Sequence, residues 1–163
     1  MSNQIIKFPM SAEKVNLFQP DQIHLIKMVI IKCHIDSPFD FSIKKSKGHE
    51  FNMDFDLGFN LKDKLVKADF KLNVTSKSEG GNLEETRGDF HFVFIFKIEN
   101  LDELAIQNKK HVIDLDPRLG NALASITYST TRGILFTRLK GSSLEDFILP
   151  VIDPNSLLNM EKK

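Results

Sequence analysis

Between Phe51 and Leu61 apolar and polar residues alternate without a break: Phe51, Met53, Phe55, Leu57, Phe59 and Leu61 fall on one phase, and Asn52, Asp54, Asp56, Gly58 and Asn60 on the other. Successive side chains of a strand point to opposite faces, so period 2 over this length specifies a strand with one core face and one wet face. The chain is therefore committed to a sheet, and the sheet must have something apolar to pack against.

Three further segments read as its partners. Leu65 to Ser76 alternates, with Val66, Ala68, Phe70, Leu72 and Val74 opposed by Lys67, Asp69, Lys71 and Asn73. Ser78 to Asn82, containing Gly80-Gly81, reads as a hairpin turn region. After it comes Phe90-His-Phe-Val-Phe-Ile-Phe-Lys-Ile98, whose middle is apolar on both phases because Val93 and Ile95 sit between the phenylalanines. Gln22 to Ile35 is also apolar on both phases and β-branched, which predicts a strand buried on both faces, ended near Pro38.

The remainder reads as helical. Asn100 with Glu103 has capping-box spacing. Asp116-Pro117 is a stronger start, because Asp caps and Pro at the first helical position loses no needed donor. Leu119, Ala122, Leu123, Ile126, Thr130 and Ile134 then share a helical face, with Gly141 as the stop after Arg138 and Lys140. Asp153-Pro154 repeats the start signal before a short terminal helix with Leu157, Leu158 and Met160.

Strands first and helices last predict an α+β fold: a four-stranded antiparallel sheet, a long amphipathic helix and a short C-terminal helix. At 163 residues the chain is sized for one domain, 1–163, with a variable segment 1–21, the sheet in 22–98 and the helical part in 100–160. One helix covers only one sheet face, so the doubly apolar strands demand a second cover. A second subunit, a bound ligand or polypeptide, and other segments of the chain (Gln4–Phe18, or the tail after Phe147) are the three ways to supply it.

Charge and motifs narrow the function by exclusion. Lys+Arg and Asp+Glu stand at 22 each, which argues against a nucleic-acid partner, since phosphate neutralisation needs a basic excess. The start, MSNQIIKFPMSAEK, lacks signal-peptide character, and no apolar run reaches membrane-spanning length, so a cytoplasmic protein without membrane insertion is expected. The single cysteine, Cys33, permits no intrachain disulfide and reads as a small buried hydrophobe. His24, His34, His49, His91 and His111 show no paired ligand spacing, and His91 reads as a structural or surface histidine. Asp54-Phe-Asp56 and Asp114-Leu-Asp116 begin like calcium loops and lack the later Gly and Glu in register. Ser42-Ile-Lys44-Lys45 has a Ser-x-x-Lys match without its companion motifs, and no glycine-rich phosphate loop is present. Asn73-Val-Thr75 has the glycosylation pattern but falls within a strand. Neither enzyme chemistry nor a metal or other cofactor is expected.

The order of elements, and two stretches in particular, resemble the SecB chaperone family. FNMDFDLGFNLKDKLVKADFKLNVTSK (51–77) is similar to that family's second and third strands, with Asp54 and Asp56 matching its alternating aspartates. Asp116 to Leu158 resembles its long helix, glycine stop and closing segment, here Ile148-Leu149-Pro150-Val151-Ile152-Asp153-Pro154. The chain departs from the pattern in having Pro154 where an aromatic is usual, in Thr130-Thr131-Arg132-Gly133, and in its neutral charge. The resemblance implies an ATP-independent holdase that binds unfolded or nascent polypeptide as a homotetramer, a dimer of dimers. In the export branch it implies docking to the translocase motor ATPase, and in another branch the guarding of an antitoxin. It would place Leu123, Ile126 and Ile134 between subunits, and Phe92, Phe94 and Val151 near the client groove; ordinary core is the competing reading for each. A small-ligand-binding α+β domain is the alternative function.

Overall fold

The computed structural model describes residues 6–7, 17–38, 46–78 and 85–160. A two-residue strand, β1 (Ile6–Lys7), and a single 3-10 turn at Pro20–Gln22 precede four long strands: β2 (Ile23–Asp36), β3 (Ser46–Asn60), β4 (Leu65–Ser78) and β5 (Glu85–Ile98). These form one antiparallel sheet in the order β2-β5-β4-β3. Strands β2 and β3 are consecutive in sequence yet form opposite edges. The α+β architecture expected from the sequence is the one observed: the four-stranded sheet, a long helix α2 (Pro117–Arg138) and a short C-terminal helix α3 (Asn155–Leu158).

Between sheet and long helix the sequence reading needs correction. A one-turn helix α1 (Leu101–Leu104) is present, but Asn100 makes no side-chain cap; its amide instead donates to the Leu17 carbonyl at 2.8 Å. Two three-residue strands follow, β6 (Ala105–Gln107) and β7 (Ile113–Leu115), paired antiparallel, with β1 parallel to β7. Asn108 builds their turn, its side-chain carbonyl accepting from the Lys110 and Val112 amides, with His111 at φ 58.

The start of α2 follows its sequence signals. Asp116 accepts from the Arg118 amide at 2.9 Å, and Pro117 opens the first turn. The Arg118 guanidinium beside Asp116 holds its carboxyl below the usual carboxylate range. The helix stops at Arg138, ahead of Gly141, whose φ of +76 suits glycine in the turn that follows.

The sheet presents Phe70, Phe90, Phe92, Phe94 and Phe96, all fully buried, and α2 buries both large residues (Leu119, Leu123, Tyr128, Leu135) and small ones (Gly120, Ala124, Thr127, Thr131). Large and small side chains interdigitating between the two layers fill the core. Phe70 and Tyr128 meet edge to face at 5.9 Å. Leu149 and Leu157 of the closing segment belong to the same hydrophobic cluster, and Leu17 and Phe18 pack against it.

Candidate functional site

The surplus of apolar surface lies on β2. The register of β2 against β5 slips twice, between Leu25 and Lys27 and between Ile30 and Lys32, leaving Ile26 and Ile31 as extra residues. Each bulge shifts the alternation by one. Ile23, Leu25, Met28, Ile30, Cys33 and Ile35 therefore pair with Ile98, Phe96, Phe94, Phe92, Phe90 and Gly88, and all lie on the core face. The run that is apolar on both phases is one apolar face, re-phased twice, and not a strand with two buried faces as its sequence suggests.

Nor is β2 buried. Helix α2 packs over β4 and leaves this edge strand open, so Leu25 is 44% exposed, Ile26 54%, Met28 38% and Ile31 57%. Cys33 is likewise exposed, which corrects the expectation of a buried thiol. An apolar, open strand edge is an unusual liability in a protein that stays single.

The opposite face of the sheet is polar and neutralises itself. Asp69 accepts from His91 at 2.7 Å and from Lys67 at 3.1 Å. Asp89 accepts from Lys32 at 2.9 Å and from Asn73, and the Lys32 ammonium, chiefly, holds its carboxyl below the usual range. Val93 and Ile95, the second apolar phase of β5, are half-buried in this polar field. The face that the sequence left in need of a cover is thus mostly wet.

A second exposed apolar strip follows α2. The Tyr128 hydroxyl donates to the Pro150 carbonyl at 2.7 Å, and Arg132 Nε donates to the Leu149 carbonyl at 2.8 Å. Burial pushes the Tyr128 hydroxyl above its ordinary pKa, keeping it a neutral donor. These bonds pin the segment against the helix with Phe147 and Leu149 inward, while Ile148 and Val151 point out, Val151 at 79% exposure. Phe136, two turns beyond Tyr128 on α2, is half-exposed with Lys140 Nζ 4.9 Å over its ring.

The six residues singled out from the sequence are not brought together. Val151 is on the exposed strip. Phe92 and Phe94 have no exposure, so neither lines an open groove in this chain: β5 is a central strand, and its phenylalanine phase is the core face. Leu123 is fully buried against the sheet, and Ile126 and Ile134 are half-buried beside the core. Sequence reasoning missed Leu25, Ile26, Met28, Ile31, Phe136 and Ile148; the β2 run was visible, but nothing in its residues signals the two bulges. Among the described residues no cluster of His, Cys, Asp or Glu is able to hold a metal, and no helix is long and apolar enough to cross a membrane.

No protein-family model matches the chain, and no curated protein is significantly similar to it in sequence. Among solved structures it is similar to the Mycobacterium tuberculosis Rv1957 SecB-like chaperone, seen in complex with a ChAD peptide from the Rv1956 HigA1 antitoxin. The TM-score is 0.53 at 8% identity, covering 81% of this chain and 91% of that one. The architecture is therefore SecB-like. A protein of unknown function from Streptococcus agalactiae aligns over 79% of this chain and 97% of its own at 12% identity, with a TM-score of 0.26 that carries no structural argument.

Proposed function

We propose that this chain is a SecB-like holdase, an oligomeric chaperone that binds unfolded or nascent polypeptide through apolar contact and without nucleotide. The observation that carries this reading is the placement of exposed large apolar side chains on a SecB-like fold. All of them but Ile106 lie on an open strand edge or along α2 and the closing segment, while the remaining sheet face is polar. Burying a large aliphatic side chain contributes about 1.5–3 kcal/mol without directional demands, which suits a binder of many sequences.

Two kinds of surface imply two roles. The β2 edge offers backbone donors and acceptors as well as side chains, and suits a second copy of the chain. The outer side of α2, with Ile126 and Ile134 half-buried, suits a further contact between such pairs, giving a dimer of dimers. The strip of Phe136, Ile148 and Val151 then remains for the client, held in place by Tyr128 and Arg132.

Light scattering tests the assembly, with a mass near four chains expected. The chaperone role is tested by aggregation of a chemically unfolded client in the absence of ATP. Wild-type protein should suppress it, and Ile148→Asp with Val151→Asp should lose suppression while keeping the assembly. A stable monomer without suppression sinks the reading. The antitoxin peptide bound by Rv1957 favours a narrower version, guarding one partner chain. Suppression confined to one client among many would favour that version, and broad suppression the general holdase.

A further inference from the structure

We infer that the free edge of β6 docks an extended polypeptide segment with an acidic end, which adds antiparallel to the small sheet β1-β7-β6. None of the residues assigned above to assembly or client takes part, so the holdase reading is neither needed nor tested. Among the described residues Ile106, 51% exposed, is the one large exposed apolar side chain outside the β2 edge, α2 and the closing segment.

The hydrogen-bond ladder fixes which backbone groups of β6 face outward. The Asp116 amide donates to the Leu104 carbonyl at 2.7 Å, and the Asn108 amide to the Val112 carbonyl at 2.9 Å. Bonded and unbonded residues alternate along an antiparallel pair, so Ile106, lying between these two bonds, is the residue that exchanges bonds with Asp114. Ala105 and Gln107 therefore turn their backbone groups away from β7, toward the side of β6 that no strand covers. The Ala105 amide is already taken, donating to the Leu101 carbonyl at the end of α1. The Ala105 carbonyl and both backbone groups of Gln107 remain. An added antiparallel strand meets all of them: one of its residues exchanges bonds with Gln107, and the residue two places on donates to Ala105.

Side chains decide what kind of strand fits. Ile106 lies opposite half-buried Asp114 on the outer face of this sheet, whereas Ala105, Ile113 and Leu115 are buried. The incoming residue opposite Ile106 shares its face and covers it only if apolar. Beyond Gln107 the chain turns through Asn108, Lys109, Lys110 and His111, all exposed. The Asn108 side-chain carbonyl accepts from the Lys110 amide at 2.9 Å and the Val112 amide at 3.2 Å, so the turn is held before anything binds. Lys109 and Lys110 form no ion pair among the described residues. The nearby carboxylates lie elsewhere: Glu103 precedes the start of β6, Asp102 is paired with Lys64, and Asp114 is across from Ile106. A partner's carboxylates are thus attracted to the turn end of the edge and repelled from the Glu103 end. For an antiparallel strand that order is acidic residues first, then β-branched apolar ones.

The probe is the peptide acetyl-Glu-Glu-Thr-Val-Thr-Val-amide, titrated into the isotopically labelled full chain and followed by amide chemical shifts. Saturable shifts should centre on Ile106, Gln107, Lys109 and Lys110, with a Kd of roughly 0.1–1 mM, as suits so short an edge. Replacing both glutamates of the probe by glutamine should weaken binding about tenfold at low salt, and Lys109→Glu with Lys110→Glu should do the same from the protein side. Both lysines are exposed in a turn, and unchanged shifts elsewhere would show that the variant folds. N-methylation of the probe's first threonine, the residue opposite Gln107, should abolish binding while leaving every side chain in place. No shifts at the highest soluble peptide concentration, or shifts centred on β2, overturn the proposal. Equal binding by the glutamine probe, by the double variant or by the N-methylated probe overturns it too, since each removes one of the two things claimed, charge pairing and backbone pairing. A single-stranded oligonucleotide that moves Lys109 and Lys110 more than the peptide does, without moving Gln107, would assign the turn to phosphate instead.

Discussion

The two edges of this sheet are finished in opposite ways. From Phe51 onward the β3 edge follows its sequence pattern without interruption: Phe55, Leu57 and Phe59 point into the core, and Asn52 and Asp54 stand in water beside Asp56. Helix α3 packs against this strand. Charged residues and a covering element are the usual means of keeping an edge from recruiting other chains. The β2 edge has the reverse finish, with apolar side chains left exposed and two bulges re-phasing the strand. Because α2 lies over β4, the same helix that seals the middle of the sheet leaves β2 bare. One edge is polar and covered, and the other is apolar and bare.

The largest effect should come from reversing that finish. Ile31→Lys places a cation in the middle of the exposed apolar edge. Light scattering should show the assembly reduced to single chains, while Asn52→Lys on the β3 edge leaves the mass unchanged. If both variants assemble normally, the distinction between the edges has no functional content.

Core and edge should also separate in stability. Phe92→Ala removes a fully buried ring and should cost about 3–5 kcal/mol in urea unfolding. Met28→Ala, on the same face but 38% exposed, should cost under about 1 kcal/mol in the unassembled chain, its main effect being a weakened assembly. Similar losses at both positions would mean that β2 is covered within one chain.

This contrast also marks how far the sequence could be read. The β3 and β4 strands and the Asp116-Pro117 helix start were legible because each is a local signal: strict alternation in one case, a side-chain cap with a preset φ in the other. The β2 edge was not, because a run apolar on both phases has two structural meanings, burial on both faces or one face re-phased by bulges. Only the pairing partner distinguishes them. The hairpin of β6 and β7 was missed because three-residue strands carry no periodicity, and Asn108 alone marks the turn. Phe92 and Phe94 were assigned to a groove because phenylalanine suits either role; strand order decides, and strand order is not a local property. Ile148 and Val151 owe their exposure to hydrogen bonds from Tyr128 and Arg132, which meet them only in the folded chain.

The sealed side of the sheet should tolerate improvement without touching either edge. Thr127 and Thr131 are completely buried on α2, and their hydroxyls have no hydrogen-bond partner among the described residues. Valine has nearly the same shape and no polar group to desolvate. Thr127→Val and Thr131→Val should therefore each stabilise the chain by about 1 kcal/mol in urea unfolding, with assembly mass and client suppression unchanged. A loss of stability would show that the hydroxyls are satisfied in solution.

The smallest effect concerns how the open edge is tied to the rest of the sheet. Lys32 on β2 reaches Asp89 on β5, with side-chain exposures of 53% and 37%, so solvent screens the pair and its contribution is a few tenths of a kcal/mol. The Asp89 carboxyl sits below its ordinary pKa of 3.8, held there first by the Lys32 bond and then by Asn73. A depressed folded value means that this contribution is present above the unfolded value and lost as pH falls through the folded one. Asp89→Asn should thus lower stability slightly at neutral pH, and the gap from wild type should narrow as pH falls below 3.8 and close once pH has passed through the lower folded value, where the native carboxyl is also protonated. Because the pair ties β2 only to β5 and leaves its outer edge untouched, the same substitution should not change the assembly mass. A dissociated Asp89→Asn variant would show that the free edge depends on this ion pair for its shape, and not only on the bulges and apolar residues of β2.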